Sequence, residues 1–253
     1  MFTVIAFAEQ RSDTTAGYIA GATDETHRVT GDDIYVGDWN LLLAAFVCSY
    51  SPQYTYLISP SLRRTSQVYI SHQYIPGAPS AFDRLLGRGF GNPLTLDKME
   101  ALNCYQAVGG YNASRVELCG VWLADAPISP ITGEIFTIRI NSEEATSFTK
   151  GVWLNHELTY TPDLPVGRYA VVGARMYGAD YGLFRFNFRG IPARPGGIVI
   201  PDERLAADKI FREGRLGVWG EFDSVLPPSM DVLLVSTNAT TQLWGFMDII
   251  KIA

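Results

Sequence analysis

The stretch DLPVGRYAVVGARMYGADYGLFRFNFRGIPARPGGIVI, residues 163–200, carries the clearest strand pattern in this chain. It predicts two strands joined by a tight turn, then an Arg/Pro/Gly loop and a third short strand. A second stretch, residues 33–70, aligns with it without a gap. The identical pairs are Asp33/Asp163, Val36/Val166, Gly37/Gly167, Ala44/Ala174, Arg64/Arg194 and Ile70/Ile200.

Large side chains alternate in phase along the two stretches. Tyr54, Tyr56 and Ile58 in the first stretch align with Phe184, Phe186 and Phe188 in the second. A slip of one residue would turn every side chain to the other face of a sheet, so this phase is a stronger indication than the scattered identities. We interpret the chain as one module present twice.

The boundary between the two copies is predicted in DAPISPITGE, residues 125–134, a linker punctuated by proline. The chain then divides into residues 1–127 and residues 128–253. Each half offers about eight short strands, the content of a jelly roll. The predicted fold class is all-β: two tandem eight-stranded jelly-roll β-sandwiches, each with a short helix before its last two strands. Those helices are predicted at residues 80–87 and 201–214.

Local patterns leave some elements ambiguous. Residues 39–49 form a nearly continuous apolar run, typical of a strand buried on both faces or of a short buried helix. Residues 96–103 have good helix propensity, yet they align with residues 227–236, which read as a strand. In both places the repeat favours strands. Another strand is predicted at residues 68–74, and closing hairpins are predicted at 112–125 and 238–252.

Three cysteines are present, Cys48, Cys104 and Cys119, without metal-binding spacing. If residues 99–108 and 114–123 form a hairpin, Cys104 and Cys119 lie opposite each other. They then form either a cross-strand disulfide or a pair of buried thiols that act as small apolar side chains, and we favour the thiols.

Composition sets limits on the function. Of the 253 residues, 47% are hydrophobic and 18% are charged, so the chain can bury a substantial core. With a net charge of −6, the chain lacks the overall positive charge of nucleic-acid-binding proteins. A local basic patch remains an alternative. Because there is no basic signal-peptide region and no apolar run of membrane-spanning length, we expect a soluble product without signal peptide or transmembrane segment.

Chemical motifs are scarce, and we expect no enzyme activity, no metal and no cofactor. His27 and His156 occupy nearly equivalent places in the two copies, which favours a shared structural position over a shared metal or acid–base role. Paired carboxylates sit in predicted loops or at a helix start, where solvation or the helix dipole explains them. The histidines are His27, His72 and His156, and the carboxylate pairs are Asp32-Asp33, Glu143-Glu144 and Asp202-Glu203.

Tryptophans are the candidates for a sugar-binding face. Trp39, Trp122 and Trp244 sit inside apolar strand patterns, so the core is the favoured location for these three. Trp153 and Trp219 flank loops and stay candidates.

Arginines gather in one type of predicted loop, and four of them are candidate subunit contacts: Arg63, Arg64, Arg189 and Arg194. Pairing with carboxylates inside the domain is the alternative role. Two glycosylation sequons begin at Asn112 and Asn238 in matching predicted turns. Asn is also a good turn residue, and we favour that interpretation.

The tandem β units, together with PVGRYAVVGARMYGADYGLFRFNF at residues 165–188, resemble the double jelly-roll major capsid proteins of tailless icosahedral viruses such as corticoviruses and tectiviruses. The resemblance implies a structural protein of the virion. It implies a homotrimer that forms pseudo-hexagonal capsomers and meets neighbours laterally, with other capsid or vertex proteins and an underlying membrane as further candidate partners. The chain lacks a basic terminal arm, so no specific nucleic-acid binding is expected.

Two other classes of function remain. A carbohydrate-binding or carbohydrate-active tandem β-sandwich protein would need exposed aromatic side chains beside carboxylates in one cleft. A deep pocket holding Trp153 or Trp219 with acids would favour that alternative. An adhesin or appendage subunit would instead be an elongated monomer or would donate a strand.

Overall fold

The computed structural model describes residues 1–50, 52–65, 82–87, 92–142, 149–161, 163–178, 180–201, 206–236 and 243–252, and these are nearly all β. The strands are β1 Phe2–Glu9, β2 Gly17–Ile19, β3 Val29–Thr30, β4 Asp33–Tyr35, β5 Leu41–Ser49, β6 Pro52–Ile58, β7 Phe82–Gly87, β8 Leu94–Thr95, β9 Ala101–Val108, β10 Glu117–Ala124, β11 Phe136–Ser142, β12 Leu154–His156, β13 Leu158–Thr161, β14 Arg168–Tyr177, β15 Gly182–Asn187, β16 Gly196–Ile200, β17 Gly220–Asp223, β18 Ser229–Leu234 and β19 Trp244–Lys251. Helix α1 spans Pro60–Arg64, and a 3-10 helix spans Ala206–Phe211.

The second half pairs its strands in nested order. Its first strand, β11, pairs with its last, β19, and β12 pairs with the last but one, β18. Inside these pairs, β14 lies between β19 and β17, and β15 lies between β18 and β16. A parallel pairing of two residues between β14 and β16 joins these two groups of strands into one curled nine-stranded sheet. This nesting of strands from opposite ends of a unit is the jelly-roll arrangement.

The first half repeats that order of pairing. Strand β1 pairs with β10, β2 pairs with β9, and β5 lies between β10 and β7. Strand β6 pairs with β9, as β15 pairs with β18. The two halves therefore share one pairing scheme. Their origin by duplication, and the domain boundary at residue 127, stay predictions.

The sheet β1-β10-β5-β7 is buried on both faces along β1, β5 and β10. Ile5 and Phe7 point into a core shared with β9 and α1, whereas Phe2 and Val4 point into a core shared with the second half. Every residue of Leu42–Ser49 is buried. This double burial explains the continuous apolar run at residues 39–49 and confirms the prediction of a strand buried on both faces.

Two predicted helices are wrong in type or extent. Residues 82–87, expected to be helical, form strand β7, because six consecutive residues pair with β5. Such long-range pairing outweighs a local propensity. In the described part of residues 201–214 a 3-10 helix spans Ala206–Phe211, and three described strands follow it, where two were predicted. Residues 68–74, 80–81 and 202–205 lie outside the described residues.

Helix α1 was not predicted, although its sequence carries a start signal. Ser59 caps it, since the Ser59 hydroxyl accepts a hydrogen bond from the Leu62 amide, and Pro60 occupies the first turn. Ser followed by Pro is a helix-start combination that the sequence displays.

The first predicted closing hairpin is wrong, because strands β9 and β10 belong to different sheets. Of the hairpin predicted at 238–252, residues 238–242 lie outside the described residues, and residues 244–251 form one strand that pairs with β11 and β14. Strand β9 begins at Ala101, after a turn in which Met99 has a φ of 64°, so residues 96–100 are not strand. In the second half, the expected strand at 227–236 is seen as β18.

Cys104 and Cys119 nevertheless meet. Both are buried free thiols in the core between the two sheets of the first half. Burial raises the pKa of the Cys104 thiol, and its hydrogen bond with Cys119 raises it further. The buried-thiol interpretation is confirmed, but the contact crosses the sandwich and is not made within a hairpin.

The two halves are joined by direct contacts. The Val4 amide donates to the Arg194 carbonyl at 2.9 Å, and the Trp122 indole N–H donates to the Gly196 carbonyl at 2.9 Å. Gly120 lies so close to the second half that an added Cβ would be 2.6 Å from Leu183 Cδ2. The halves therefore approach each other at van der Waals distance.

Replacement of Gly120 tests this close approach. In Gly120→Ala the new methyl group overlaps Leu183, which is fully buried and has little room to move. We expect a loss of about 1–3 kcal/mol in the free energy of unfolding, the usual cost of overpacking. Urea unfolding followed by circular dichroism measures it. Gly133→Ala is the control, because its added Cβ meets only Ile250 Cδ1 at 3.6 Å. Equal stabilities of the two variants would contradict the close contact.

Candidate functional site

The first pair of predicted contact residues lies on α1, a helix and not the loop that was expected. Arg63 donates a hydrogen bond to the Tyr18 hydroxyl at 3.4 Å, and Arg64 forms an ion pair with Asp97. Both arginines are exposed. Arg64 thus adopts the alternative role, pairing with a carboxylate of its own half, while its part in subunit contacts stays a prediction.

The second pair lies in the loop between β15 and β16. Arg189 and Arg194 line a groove of about 620 Å³ together with Ile191, Pro192 and Leu226. The Arg194 guanidinium donates to the Ile191 carbonyl at 2.8 Å, which shapes the loop. The structure therefore places the four arginines in two separate settings, one on each half.

An apolar patch borders this groove. Val166, Val225 and Leu226, here called the rim patch, are exposed to 82%, 67% and 56%. Two hydrogen bonds between Gly167 and Ser224 hold the turn of Val166 against the turn of Val225. Clustered exposed apolar side chains are typical of interaction surfaces.

A second site, here called the junction pocket, lies between the halves. It has a volume of about 480 Å³. Its walls come from Ala8, Gly21, Ala22, Thr23 and Glu25 of the first half and from Gly151–Trp153, Asn155, Arg185, Asn187 and Asp231 of the second.

The base of the junction pocket is a buried cation with two carboxylates. Arg185 on β15 is 2% exposed, and its Nε donates to Asp231 Oδ2 at 2.9 Å. Its Nη1 donates to Asp24, which belongs to the other half, and to the Val4 carbonyl. The guanidinium also covers the Trp153 ring, 4.1 Å from its centroid. Arg185 therefore links both halves through charge.

Asp24 is held as an anion. Its Oδ1 accepts hydrogen bonds from the Thr26 amide and the Thr26 hydroxyl, each at 2.6 Å. Burial alone would raise the pKa of Asp24, but the hydrogen bond with His27, the positive charge of Arg185 and the bonds from Thr26 outweigh burial. The pKa of Asp24 consequently lies well below its usual range.

Asp231 organises the opposite wall. Its Oδ1 accepts from the Nδ2 atoms of Asn187 at 2.7 Å and Asn155 at 2.8 Å. Ser229 Oγ accepts a second bond from each amide. Both amides are thus fixed with their nitrogen atoms toward Asp231.

His27 and His156, predicted to occupy equivalent places, both adjoin this network. His27 Nδ1 lies 2.8 Å from the Thr26 hydroxyl and 3.8 Å from Asp24 Oδ1. Burial lowers the pKa of His156, and the charge of Asp231 opposes that effect. Among the described residues no group of three or more His, Cys, Asp or Glu side chains could hold a metal ion.

The division of the tryptophans into buried and exposed side chains differs from the prediction. Trp122 is fully buried as expected, but Trp219 is fully buried too, so it cannot face a ligand. Trp244, expected in the core, is 40% exposed and stacks on Tyr177. Trp153 is half-buried and lines the junction pocket, which keeps it a candidate.

Arg185, Asp24 and Asp231 were missed by the sequence reasoning. Arg185 interrupts the alternating phenylalanines of β15, and a charged residue there is ordinarily read as solvent-facing. Asp24 and Asp231 are far apart in sequence and have no shared motif. Only the packing of one half on the other brings them to the same guanidinium.

Comparison with known proteins adds little. No family model matches the chain, and no curated protein matches it. The solved structures include the major capsid protein P2 from Bacteriophage PM2, at 10% identity, with 100% of this chain and 98% of that chain covered and a TM-score of 0.26. At that TM-score the fold assignment rests on the strand pairings alone. No helix in the described part of the chain has the length and apolarity to span a membrane.

Replacement of Arg185 tests the buried ion network. Arg185→Met leaves Asp24 and Asp231 without their cation, so we expect a loss of about 3–5 kcal/mol in the free energy of unfolding. The control is Arg168→Met, which breaks the exposed pair with Glu221 and is expected to cost about 0–1 kcal/mol. Thermal and urea unfolding measure both. A similar small loss in the two variants would show that the Arg185 network does not stabilise the fold.

The lowered pKa of Asp24 predicts a pH dependence. The folded protein keeps Asp24 ionised, whereas the unfolded chain takes up a proton near the ordinary Asp pKa of about 3.9. The stabilisation is therefore fully present above about pH 4 and is lost as the pH falls below that value. We expect Asp24→Asn to be less stable at pH 7 and to lose less stability between neutral and acid pH. The urea midpoint of each protein is measured over a series of pH values. If the midpoint falls with decreasing pH as steeply in Asp24→Asn as in the wild type, the prediction is refuted.

Proposed function

We propose that this chain is a structural, non-enzymatic protein, a major capsid subunit that forms trimeric, pseudo-hexagonal capsomers of an icosahedral virion. The observation that carries the proposal is the presence of two jelly-roll halves with the same pairing scheme, packed into one body. Three such chains present six similar β units around a threefold axis. A threefold ring needs only two complementary surfaces on each subunit, whereas a near-sixfold outline needs similar edges twice on each subunit, which paired halves supply.

The contact between the halves supports this role. Phe2 meets Trp219 edge to face at 5.3 Å, and Trp122 packs on Phe211 at 5.1 Å, both across the junction. Because closely packed interiors resist deformation, these contacts hold the two halves in one orientation. A shell subunit needs such a fixed orientation to place its lateral edges.

The groove with Arg189 and Arg194, together with the rim patch, is the surface we assign to contacts between subunits. Exposed apolar side chains beside arginines are the composition of many protein interfaces. The chain carries 26 acidic residues, so a neighbouring copy can supply the anionic partners. The proposed partner is therefore the chain itself, first in the trimer and then between capsomers. Other capsid or vertex proteins and an underlying membrane are further candidate partners.

The oligomeric state tests this proposal. We expect a trimer in solution by mass determination and a pseudo-hexagonal outline in negative-stain images. Val225→Asp with Leu226→Asp places charges in the rim patch, and we expect it to weaken the trimer or the lateral contacts while leaving the circular dichroism spectrum of the folded subunit unchanged. Val218→Asp, a substitution of an exposed valine outside the rim patch, is the control. A wild-type monomer at micromolar concentration would overturn the proposal.

A further inference from the structure

The junction pocket has the dimensions of a small-molecule site. Its volume of about 480 Å³ falls in the range of roughly 300–1,000 Å³ that ligand pockets occupy. Its walls are rigid, because Arg185 and Asp231 are fixed by the ion network and the amides of Asn155 and Asn187 are fixed by Asp231. A ligand would therefore meet preorganised groups.

The charges of the junction pocket exclude an anionic ligand. Its only cation among the described lining residues, Arg185, already binds Asp24 and Asp231, and Glu25 adds a further carboxylate to the wall. An anion would meet unpaired negative charge and no free positive group. Such a ligand is disfavoured by Coulomb repulsion in a partly desolvated site.

A cationic ligand is disfavoured for a different reason. Trp153 is the aromatic side chain of the pocket, and an aromatic face is where an ammonium group would bind. That ring already carries the Arg185 guanidinium at 4.1 Å. A second cation on the same ring would be repelled by the first.

Hydrogen-bonding groups and an aromatic side chain remain for a neutral ligand. Asn155 offers an exposed amide, Glu25 offers acceptor oxygens, and Thr23 offers a hydroxyl that both donates and accepts. Val152 and Trp153 supply apolar surface. Trp153 Nε1 and Asn187 Oδ1 are buried without a hydrogen-bond partner among the described residues, so this wall also holds one unused donor and one unused acceptor.

We propose that the junction pocket binds a neutral saccharide, with the apolar face of a pyranose ring against the part of Trp153 that the Arg185 guanidinium leaves uncovered and hydroxyl groups at Asn155, Glu25 and Thr23. A sugar hydroxyl donates and accepts at once, as this set of partners requires. The binding site is formed by both halves, so it exists only when the halves are packed together. It is independent of the capsid assignment, because a carbohydrate-binding protein that is not part of a shell could use the same pocket.

Saturation-transfer NMR and calorimetry with a panel of neutral mono- and disaccharides test the proposal. The probes include glucose, galactose, N-acetylglucosamine and their common disaccharides, with choline and inorganic phosphate as the charged comparisons. We expect at least one neutral saccharide to bind and neither charged probe to bind. A panel in which no neutral saccharide binds, or in which choline or phosphate binds instead, would overturn the assignment.

Variants locate the binding. We expect Trp153→Ala to weaken it about tenfold or more, a change of about 1.4 kcal/mol. Val152→Trp fills the pocket from an exposed position and should abolish binding without unfolding the protein, so it serves if Trp153→Ala does not fold. Trp244→Ala, which removes an exposed tryptophan elsewhere, is the control and should bind as the wild type does. Wild-type affinity in Val152→Trp would place the saccharide outside this pocket.

Discussion

The burial of one sheet on both of its faces is the constraint on which the rest of this structure depends. Strands β1, β10 and β5 direct alternate side chains into two different cores, one inside the first half and one shared with the second half. A sheet with one polar, solvent-exposed face can be stable alone. Without the second half, this sheet would expose a face of apolar side chains that includes Phe2, Phe46 and Trp122. The hydrophobic free energy of that face therefore holds the two halves together. For the same reason, the second half covers the apolar face that the first half cannot bury alone, so the two halves do not fold as independent domains.

Polar groups at the junction make this association specific. An apolar contact alone would allow the two halves to pack in several relative positions. Arg185, however, pairs with both Asp24 and Asp231 in one geometry, and any other position would leave buried charges unpaired. Leaving a buried charge unpaired costs several kcal/mol. A second ion pair joins the halves at another point of the junction, where Arg115 Nη2 lies 2.8 Å from Asp180 Oδ1. We infer that these ion pairs select the register of the halves, while the shared core provides most of the stability.

The junction and a loop of the second half that contacts it supply the two candidate functional surfaces. Curved sheets meet over a limited area, and the junction pocket is the space left beside that area, lined by the polar residues that border the core. The groove with Arg189 and Arg194 follows from the loop that crosses to β1, where the Arg194 carbonyl binds the Val4 amide. A rigid two-part body with interaction surfaces at its seams suits a subunit that assembles with copies of itself, and it also suits a binding protein.

The sequence by itself determined the all-β class and the position of most strands, because alternation of period two is a local signal. The predicted phase between the two copies is wrong. On β6 the buried side chains are Thr55 and Leu57, whereas the aligned tyrosines are only partly buried and the phenylalanines of β15 lie in the core. The sequence also led to the correct expectation that residues 39–49 form a doubly buried strand. What only the tertiary structure decided is which strands pair. Residues 82–87 became a strand because β5 offered them an edge, and Cys104 met Cys119 across a core and not along a hairpin. The positions of Arg185, Asp24 and Asp231 belong to the same category. Contacts between different strands and sheets depend on how whole sheets pack, and no local pattern records that packing.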